Sequence, residues 1–196
     1  ITNGGIATTY NIFAKTDPSQ PPGKGITCFV VEKGSPGFEI GKPMEKMGLN
    51  GSPTCELVLD NCRVLAENVL GEVNQGFQVA MGLLDGGRIT IAAQALGIAS
   101  GAFDYACNYV KERKQFGKPI GANQGIGWMI ADMATALDAA RLMIYRAAWL
   151  KDQQLPHAKE AAMAKKLATD TGMSVCTDCV QLLGGYGYMS EYPVER

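Results

Sequence analysis

Histidine, long apolar runs and an excess of either charge are all missing or scarce in this sequence. Its single histidine, His157, argues against a structural zinc site with about four ligands and against a metal-carboxylate bundle with paired Glu-x-x-His motifs. No apolar run approaches the roughly 20 residues that cross a bilayer. A formal net charge of −1 predicts no surface for nucleic acid or anionic membranes. With 46% hydrophobic residues, the chain is expected to form one or two globular domains.

The six cysteines do not follow the pattern of a small disulfide-linked domain. Cys176 and Cys179 match half of a redox or metal motif, but they lie in a helical pattern without a second pair. We interpret them as core residues. This cysteine usage favours a reducing compartment, and we expect the bacterial cytoplasm or the mitochondrial matrix rather than secretion. The sequence starts at Ile1 without an initiator methionine or signal peptide, as expected for a piece of a larger protein.

Residues 1–70 carry the pattern of strands and turns. Residues 26–31 (ITCFVV) form a short apolar run that predicts a buried strand. Cys55, Leu57 and Leu59 alternate along the chain, the period of a half-buried strand. Residues 18–25 are rich in proline and glycine and predict a loop. We expect residues 1–70 to form part of an antiparallel β-domain, without its first strands.

From residue 71 to residue 196 the apolar period is that of helices. Three segments, separated by Lys118-Pro119 and residues 154–156, carry apolar residues every three or four positions. The stripes are Phe77, Met81, Leu84, Ile91, Ala95, Ile98, Ala102, Tyr105 and Tyr109; Ile126, Met129, Met133, Leu137, Ala140, Ile144 and Ala147; and Ala161, Ala164, Ala168, Val175, Cys179 and Leu182. Long helices with short connections predict an up-down bundle that lacks its last helices, and hence an α+β multidomain fold.

A glycine pair ends the third helical segment, in residues 181–185 (QLLGG). Gly184 and Gly185 permit backbone conformations closed to other residues and a close approach of the main chain to a ligand. Gln181, one turn earlier, offers an amide that donates and accepts hydrogen bonds. An ordinary helix C-cap would use the same glycines, so the turn alone does not identify a site.

Arg88 interrupts the first apolar stripe, with Asp85 one turn earlier on the same face. The two side chains form either an internal ion pair or part of a polar ligand site. Gly86 and Gly87 favour the ligand site, because each glycine inside a helix costs about 1 kcal/mol relative to alanine. We expect something to pack close to their backbone.

Arg113 and Phe116 lie in the basic junction between the first two helical segments. Basic residues at a helix C-terminus are explained by the helix dipole alone. An aromatic side chain among them is not. Arg113 and Phe116 together could instead hold a planar ring with its phosphates.

Taken together and in order, five segments resemble the acyl-CoA dehydrogenase family of flavoproteins, most closely its short-chain, butyryl-CoA-type branch. They are residues 1–5 (ITNGG), 46–52 (KMGLNGS), 84–89 (LDGGRI), 112–118 (ERKQFGK) and 181–185 (QLLGG). The resemblance covers essentially the whole chain. It implies a middle β-domain and a C-terminal helical bundle with FAD between them. It also implies a homotetramer, a dimer of dimers, in which a neighbouring subunit completes each FAD site.

The same resemblance assigns two groups of residues to FAD. Ile1 and Thr2 match the strand that packs on the flavin ring, where the threonine hydroxyl hydrogen-bonds near N5. Gln181, Gly184 and Gly185 match the turn whose backbone meets the pyrophosphate and adenosine side of an FAD site that is expected to serve a neighbouring subunit.

A third group is assigned to the FAD of a neighbouring subunit. Arg113 and Phe116 match the pair that holds its adenosine-diphosphate part. Gln124 matches another cofactor contact in that region.

The substrate positions follow from the resemblance as well. Asp85, Gly86, Gly87 and Arg88 match the segment that binds the pantetheine and nucleotide of acyl-CoA. Phe77 occupies a place where family members line the acyl pocket. Acyl chain length does not follow from these residues.

The implied reaction is the α,β-dehydrogenation of an acyl-CoA thioester to the trans-2-enoyl-CoA, with electrons passed to an electron-transfer flavoprotein. The base in most members is a glutamate expected beyond Arg196, so we assign no catalytic residue and expect the fragment alone to be inactive. A few branches carry the glutamate at the position of Gly87, which disfavours the isovaleryl-type arrangement. Asn50 and Leu65 depart from the common arginine and proline, with minor local effects expected.

Two other functions stay open from the sequence. One is a flavin oxidase or monooxygenase of the same fold, which a different residue in place of the glutamate would indicate. The other is a helical scaffold without flavin, against which the matched Arg113, Phe116, Gln124 and glycine-turn positions argue.

Overall fold

The structure, a computed structural model, describes all of residues 1–196 and has the α+β architecture that the sequence predicts. It divides into two compact units, Ile1–Gly82 and Leu83–Arg196. The elements in chain order are β1 (Thr9–Lys15), β2 (Ile26–Glu32), β3 (Phe38–Pro43), β4 (Cys55–Leu59), β5 (Val69–Leu70), α1 (Gly76–Glu112), β6 (Lys114–Gln115), β7 (Lys118–Pro119), α2 (Gln124–Asp152) and α3 (Ala158–Leu183). A short 3₁₀ helix, Gly184–Tyr188, follows α3 directly.

Two small antiparallel sheets make up most of the first unit. One has the strand order β1-β2-β5, and the other pairs β3 with β4. β2 is buried at Thr27, Cys28 and Val31, as its apolar run predicts, and residues 16–25 form the expected loop. The alternation in β4 holds at buried Cys55 but not at Leu59, which is exposed.

The core of the first unit lies between its sheets. Tyr10, Val31 and Phe38 form its buried centre. The Tyr10 and Phe38 rings meet edge to face, with their centroids 5.0 Å apart. This geometry suits the ring quadrupoles and fixes the two sheets against each other.

The second and third predicted apolar stripes are confirmed. Along α2 the buried residues are Met133, Leu137, Ala140, Ile144 and Ala147. Along α3 they include Ala161, Ala164, Ala168, Val175, Cys179 and Leu182. The two helices pack against each other, and a short connection joins them, as an up-down arrangement requires.

The prediction for α1 is wrong about which face of the helix is buried. Leu84, Ile91 and Ile98 are exposed, Ile98 by 60% of its surface. The buried residues of the part of α1 in the second unit are Ile89, Ala92, Ala99, Ala106 and Val110. Apolar residues of α1 lie on all sides of the helix, so the sequence is compatible with two different apolar stripes. Packing against α2 and α3 selects the alanine-rich one, because small side chains allow helix axes to approach closely.

Cys179 lies in the core of the second unit, where its Sγ is 4.0 Å from Met133 Sδ. Burial raises the pKa of its thiol to about 12. All six cysteines are free, and no group of three or more potential ligands is placed to hold a metal ion. None of the helices combines the length and the apolar character that crossing a membrane demands.

Candidate functional site

A cavity of about 510 Å³ in the second unit brings together four of the residues predicted to bind FAD. Arg113 enters it from the end of α1, and Gln181, Gly184 and Gly185 enter it from the end of α3. The polar lining is otherwise neutral and contains no carboxylate. Arg113 is therefore the only charged side chain in the cavity wall.

Backbone hydrogen bonds on both sides hold Arg113 in place. Its amide donates to the Tyr109 carbonyl at 2.8 Å, continuing the last turn of α1. Its carbonyl accepts from the Ile120 amide, also at 2.8 Å. The side chain takes part in none of the ion pairs of the structure. Its charge thus stays without a carboxylate partner and is available to an anion.

The face of an aromatic ring supports this guanidinium. The central guanidinium carbon of Arg113 lies 5.2 Å from the ring centroid of Tyr186, within cation–π range. Burial raises the pKa of the neighbouring Tyr109 phenol, and the charge of Arg113 offsets part of that shift. The Tyr109 phenol therefore stays neutral at physiological pH, and its ionisation does not compete for Arg113.

The glycine turn has a backbone that other residues avoid. Gly184 caps α3 at φ 58° and ψ −134°, a region that is essentially restricted to glycine. Its amide donates to the Gln181 carbonyl and closes the helix. A Cβ built on Gly184 or Gly185 would meet no atom within 4 Å. The surface of the turn is therefore open, and a ligand can approach its main chain without obstruction from this chain.

Two predicted FAD contacts of the second unit, Gln124 and Phe116, lie outside this cavity. Gln124 is exposed at the first residue of α2. Phe116 is 97% exposed at the tip of the β6–β7 hairpin. The aromatic residue that meets Arg113 within the chain is Tyr186, which the sequence did not single out. A run of tyrosines after the glycine turn was the available signal.

Phe116 also carries backbone strain. The two-residue tip of the hairpin has φ values of 52° at Phe116 and 81° at Gly117, as a type I′ turn requires. A left-handed conformation costs a residue other than glycine roughly 1–2 kcal/mol. A bulky aromatic residue that is both strained and exposed is typical of a site with a function beyond stability.

Asp85 and Arg88 form an ion pair, with a distance of 2.5 Å between Arg88 Nη1 and Asp85 Oδ1. It is not internal, because 40% of the Arg88 side chain and 28% of the Asp85 side chain stay exposed. A Cβ on Gly86 would lie 2.8 Å from Lys151 Nζ, so a side chain does pack close to this glycine. Gly87 faces open space.

A second cavity, of about 590 Å³, lies within the first unit and includes Phe77. The loop between β1 and β2 forms its opposite wall, and the Gly23 backbone would place a Cβ 3.9 Å from the Phe77 ring. Lys15 fixes that loop. Its ammonium donates to the carbonyls of Gln20 at 2.8 Å, Pro21 at 3.1 Å and Lys24 at 2.6 Å.

Ile1 and Thr2 are both exposed, and Thr2 forms an isolated antiparallel bridge with Thr54. The main chain of this segment is held by a 2.6 Å hydrogen bond from the Asn3 amide to the Pro53 carbonyl. The Thr2 side chain is thus presented on a fixed backbone.

Two family models match the chain. The model of the acyl-CoA dehydrogenase middle domain matches residues 1–62, and that of the acyl-CoA dehydrogenase C-terminal domain matches residues 74–196.

Known proteins match over the full length of the chain. The short-chain-specific acyl-CoA dehydrogenase of Clostridium acetobutylicum is 53% identical over all 196 residues, which correspond to 52% of its length. Butyryl-CoA dehydrogenase from Megasphaera elsdenii superimposes with a TM-score of 0.97 at 51% identity. A chain in a structure of the electron transferring flavoprotein of Acidaminococcus fermentans gives 0.96 at 53% identity. All of this chain and 51% of each of those two chains are covered. The chain thus spans about half the length of the relatives that it matches.

Proposed function

The chain belongs to the acyl-CoA dehydrogenase family of FAD-dependent oxidoreductases, and we propose that it forms part of an enzyme that dehydrogenates short-chain acyl-CoA thioesters to trans-2-enoyl-CoA. The preference for short chains is supported by 53% identity to a short-chain-specific relative. Electron-transfer flavoprotein is the proposed electron acceptor. The match to a chain in a structure of such a flavoprotein supports it.

The proposed FAD site in this chain is the cavity around Arg113. An uncompensated guanidinium beside two open glycines suits a pyrophosphate, because charge-assisted hydrogen bonds and backbone amides both favour phosphate oxygens. Gln181 adds an amide that can donate to the adenosine side. The meeting of Arg113 with Gly184 and Gly185 in one cavity is the observation that carries the proposal.

This cavity is proposed to serve the FAD of a neighbouring subunit in a homotetramer. Phe116 and Gln124 are then proposed to contact the adenosine-diphosphate part of that FAD from outside the cavity. The 97% exposure of Phe116 supports this role, since the ring has no partner within its own chain. A strained, exposed ring is consistent with a contact that forms only on assembly.

Ile1 and Thr2 are proposed to contact the flavin ring. When bound, FAD supplies a two-electron acceptor for the hydride that leaves the substrate β-carbon. The Thr2 hydroxyl can donate a hydrogen bond to the ring and so favour the charge that develops there. Ile1 offers an apolar surface against which the ring can pack.

Two segments of the chain are proposed to bind substrate. Phe77 contributes an aromatic wall to the cavity of the first unit, and this ring is the part of a largely polar lining that suits an acyl chain. Asp85 and Arg88, with Gly86 and Gly87 between them, offer polar groups and accessible backbone to pantetheine and nucleotide. The partial exposure of the Asp85–Arg88 pair supports a ligand role over a purely internal one.

We assign no catalytic base within these 196 residues. The α-proton is proposed to pass to a glutamate outside them, while the β-hydride leaves in the same oxidation and the Cα–Cβ bond becomes double. Gly87 has no side chain with which to accept a proton. The chain by itself is therefore proposed to bind and orient rather than to turn over substrate.

Anaerobic titration of the full-length flavoprotein with butyryl-CoA tests the proposal. The oxidised flavin absorbance should bleach as electrons leave the substrate. Absence of bleaching with every acyl-CoA of short to medium length would refute the dehydrogenase assignment. Rapid reoxidation of the reduced flavin by oxygen rather than by electron-transfer flavoprotein would instead favour the oxidase alternative.

A further inference from the structure

Three tyrosines lie in contact with one another, and one of them, Tyr186, faces the Arg113 guanidinium. The Tyr186 and Tyr192 rings have centroids 5.0 Å apart with an interplanar angle of 32°. The Tyr109 and Tyr192 rings meet at 90° with centroids 6.3 Å apart. Tyr109 and Tyr192 both pack against the core of the second unit. We name Tyr109, Tyr186 and Tyr192 the tyrosine cluster.

Backbone hydrogen bonds hold the main chain at each residue of the tyrosine cluster. Tyr109 lies near the end of α1, one helical turn before Arg113, and its carbonyl accepts a hydrogen bond from the Arg113 amide. Tyr186 sits in the 3₁₀ helix that the Gly184 conformation starts, and its carbonyl accepts from the Met189 amide at 3.2 Å. The Tyr192 amide then donates to the Met189 carbonyl at 3.0 Å. The cluster therefore links the ends of two helices.

A ring face supports a guanidinium differently from a carboxylate. A carboxylate would occupy the N–H donors of Arg113 and cancel its charge, and so compete with a phosphate. A ring stacked on the guanidinium face leaves the in-plane donors free and the positive charge intact. Stacking also restricts the rotation of a long side chain, so less freedom is lost when an anion binds.

We propose that Tyr186, backed by Tyr192 and Tyr109, is a positioning residue that holds the Arg113 guanidinium ready for a phosphate group. The inference rests on the proposed FAD site and names a further residue of that site. Tyr186 acts through Arg113 and not by its own hydrogen bonds. Its ring is required, and its hydroxyl is not.

The test is a double-mutant cycle on FAD affinity in the full-length enzyme, measured by reconstitution of the apoprotein. Tyr186→Leu should weaken FAD binding by about threefold to thirtyfold, the range of a cation–π contact. In an Arg113→Met background the same change should have less than about a twofold effect, because the partner is gone. Equal effects in both backgrounds, or no effect in the first, would overturn the inference.

Conservative variants separate positioning from folding. Tyr186→Phe and Tyr186→Trp keep a ring face and should retain FAD affinity within about twofold. A loss in Tyr186→Phe as large as in Tyr186→Leu would assign the role to the hydroxyl and refute the proposal. Tyr188→Leu is the matched control, since Tyr188 shares the 3₁₀ helix but is 89% exposed outside the cluster.

The same cycle distinguishes the two levels of the account. If Arg113→Met leaves FAD affinity unchanged, the proposed FAD site itself fails. If Arg113→Met weakens binding but Tyr186→Leu does not, only the positioning role of Tyr186 fails.

Discussion

A Cβ on Gly187 would lie 2.4 Å from the carbonyl oxygen of Val180, so the 3₁₀ helix after α3 packs directly on the backbone of α3. No side chain can be accommodated there without moving the main chain. Gly185, two residues earlier, would place its Cβ in open space. Packing within the chain therefore requires glycine at position 187 but not at position 185.

Substitution of these two glycines by alanine should affect different properties of the protein, stability for Gly187 and FAD binding for Gly185. Gly187→Ala should destabilise the protein by about 1–3 kcal/mol, because the clash is with backbone and cannot be relieved by a rotamer change. Gly185→Ala should leave the melting temperature unchanged but weaken FAD binding by about tenfold, because the added methyl occupies the ligand side of the turn. Differential scanning fluorimetry of the apoprotein and FAD titration measure both effects. Equal melting temperatures for the two variants would contradict this account.

Phe116 is expected to lower the stability of the apoprotein and to strengthen FAD binding. Phe116→Gly removes the left-handed strain and should raise the melting temperature of the apoprotein, by an amount that corresponds to about 1 kcal/mol. The same change should lower FAD occupancy, since the ring is proposed to contact a neighbouring subunit's cofactor. Gly117→Ala, at φ 81°, is the control and should lower the melting temperature. Full FAD retention in Phe116→Gly would remove the proposed role of the ring.

Lys15 is expected to affect substrate binding and not flavin binding. In Lys15→Met the loop carbonyls lose a charged donor, and the wall opposite Phe77 should become mobile. We expect KM for butyryl-CoA to rise about threefold to tenfold with FAD occupancy unchanged. Lys33→Met, which removes a hydrogen bond to the Gly5 carbonyl outside this cavity, serves as the control. An unchanged KM in Lys15→Met would separate this loop from substrate binding.

Cys179 should contribute to loss of stability at alkaline pH. Its pKa is about 12 in the folded protein and 9.0 as the ordinary value, so the unfolded chain releases the thiol proton first as pH rises. The contribution of Cys179 to the free energy of unfolding is therefore fully present below pH 9. It declines between the two pKa values, by about 1 kcal/mol from pH 9 to pH 10. Urea unfolding of Cys179→Ala should show a shallower alkaline decline than the parent. Parallel declines would mean that this thiol does not titrate on unfolding.

The sequence predicted α2 and α3 well because each has one apolar stripe, from Met133 to Ala147 and from Ala161 to Leu182. It failed on α1, where apolar residues occur all round and only the packing partners decide which face is buried. Ile91 and Ile98 therefore read as core residues although they are exposed in this chain.

The candidate site was predictable to the extent that it depends on local motifs. Arg113 and the glycine pair line one cavity, and their assignment to FAD stays a prediction. The tyrosines after the glycine turn are visible in the sequence, but the sequence does not show that Tyr186 is the one that contacts Arg113. Its contact with Arg113 depends on the path of the 3₁₀ helix, which in turn depends on one backbone conformation at Gly184. Phe116 and Gln124 lie outside this cavity, and their contact with a neighbouring subunit's FAD stays a prediction.

The FAD dissociation constant of Arg113→Met in the full-length enzyme decides whether the Arg113 cavity binds FAD. Arg141→Met is the matched control, because Arg141 forms a surface pair with Asp138 away from the cavity, and such pairs contribute little. The account predicts that Arg113→Met weakens FAD binding by at least about tenfold, the loss of one charge-assisted contact, while Arg141→Met binds as the parent does. Equal FAD affinity in Arg113→Met and the parent would contradict it.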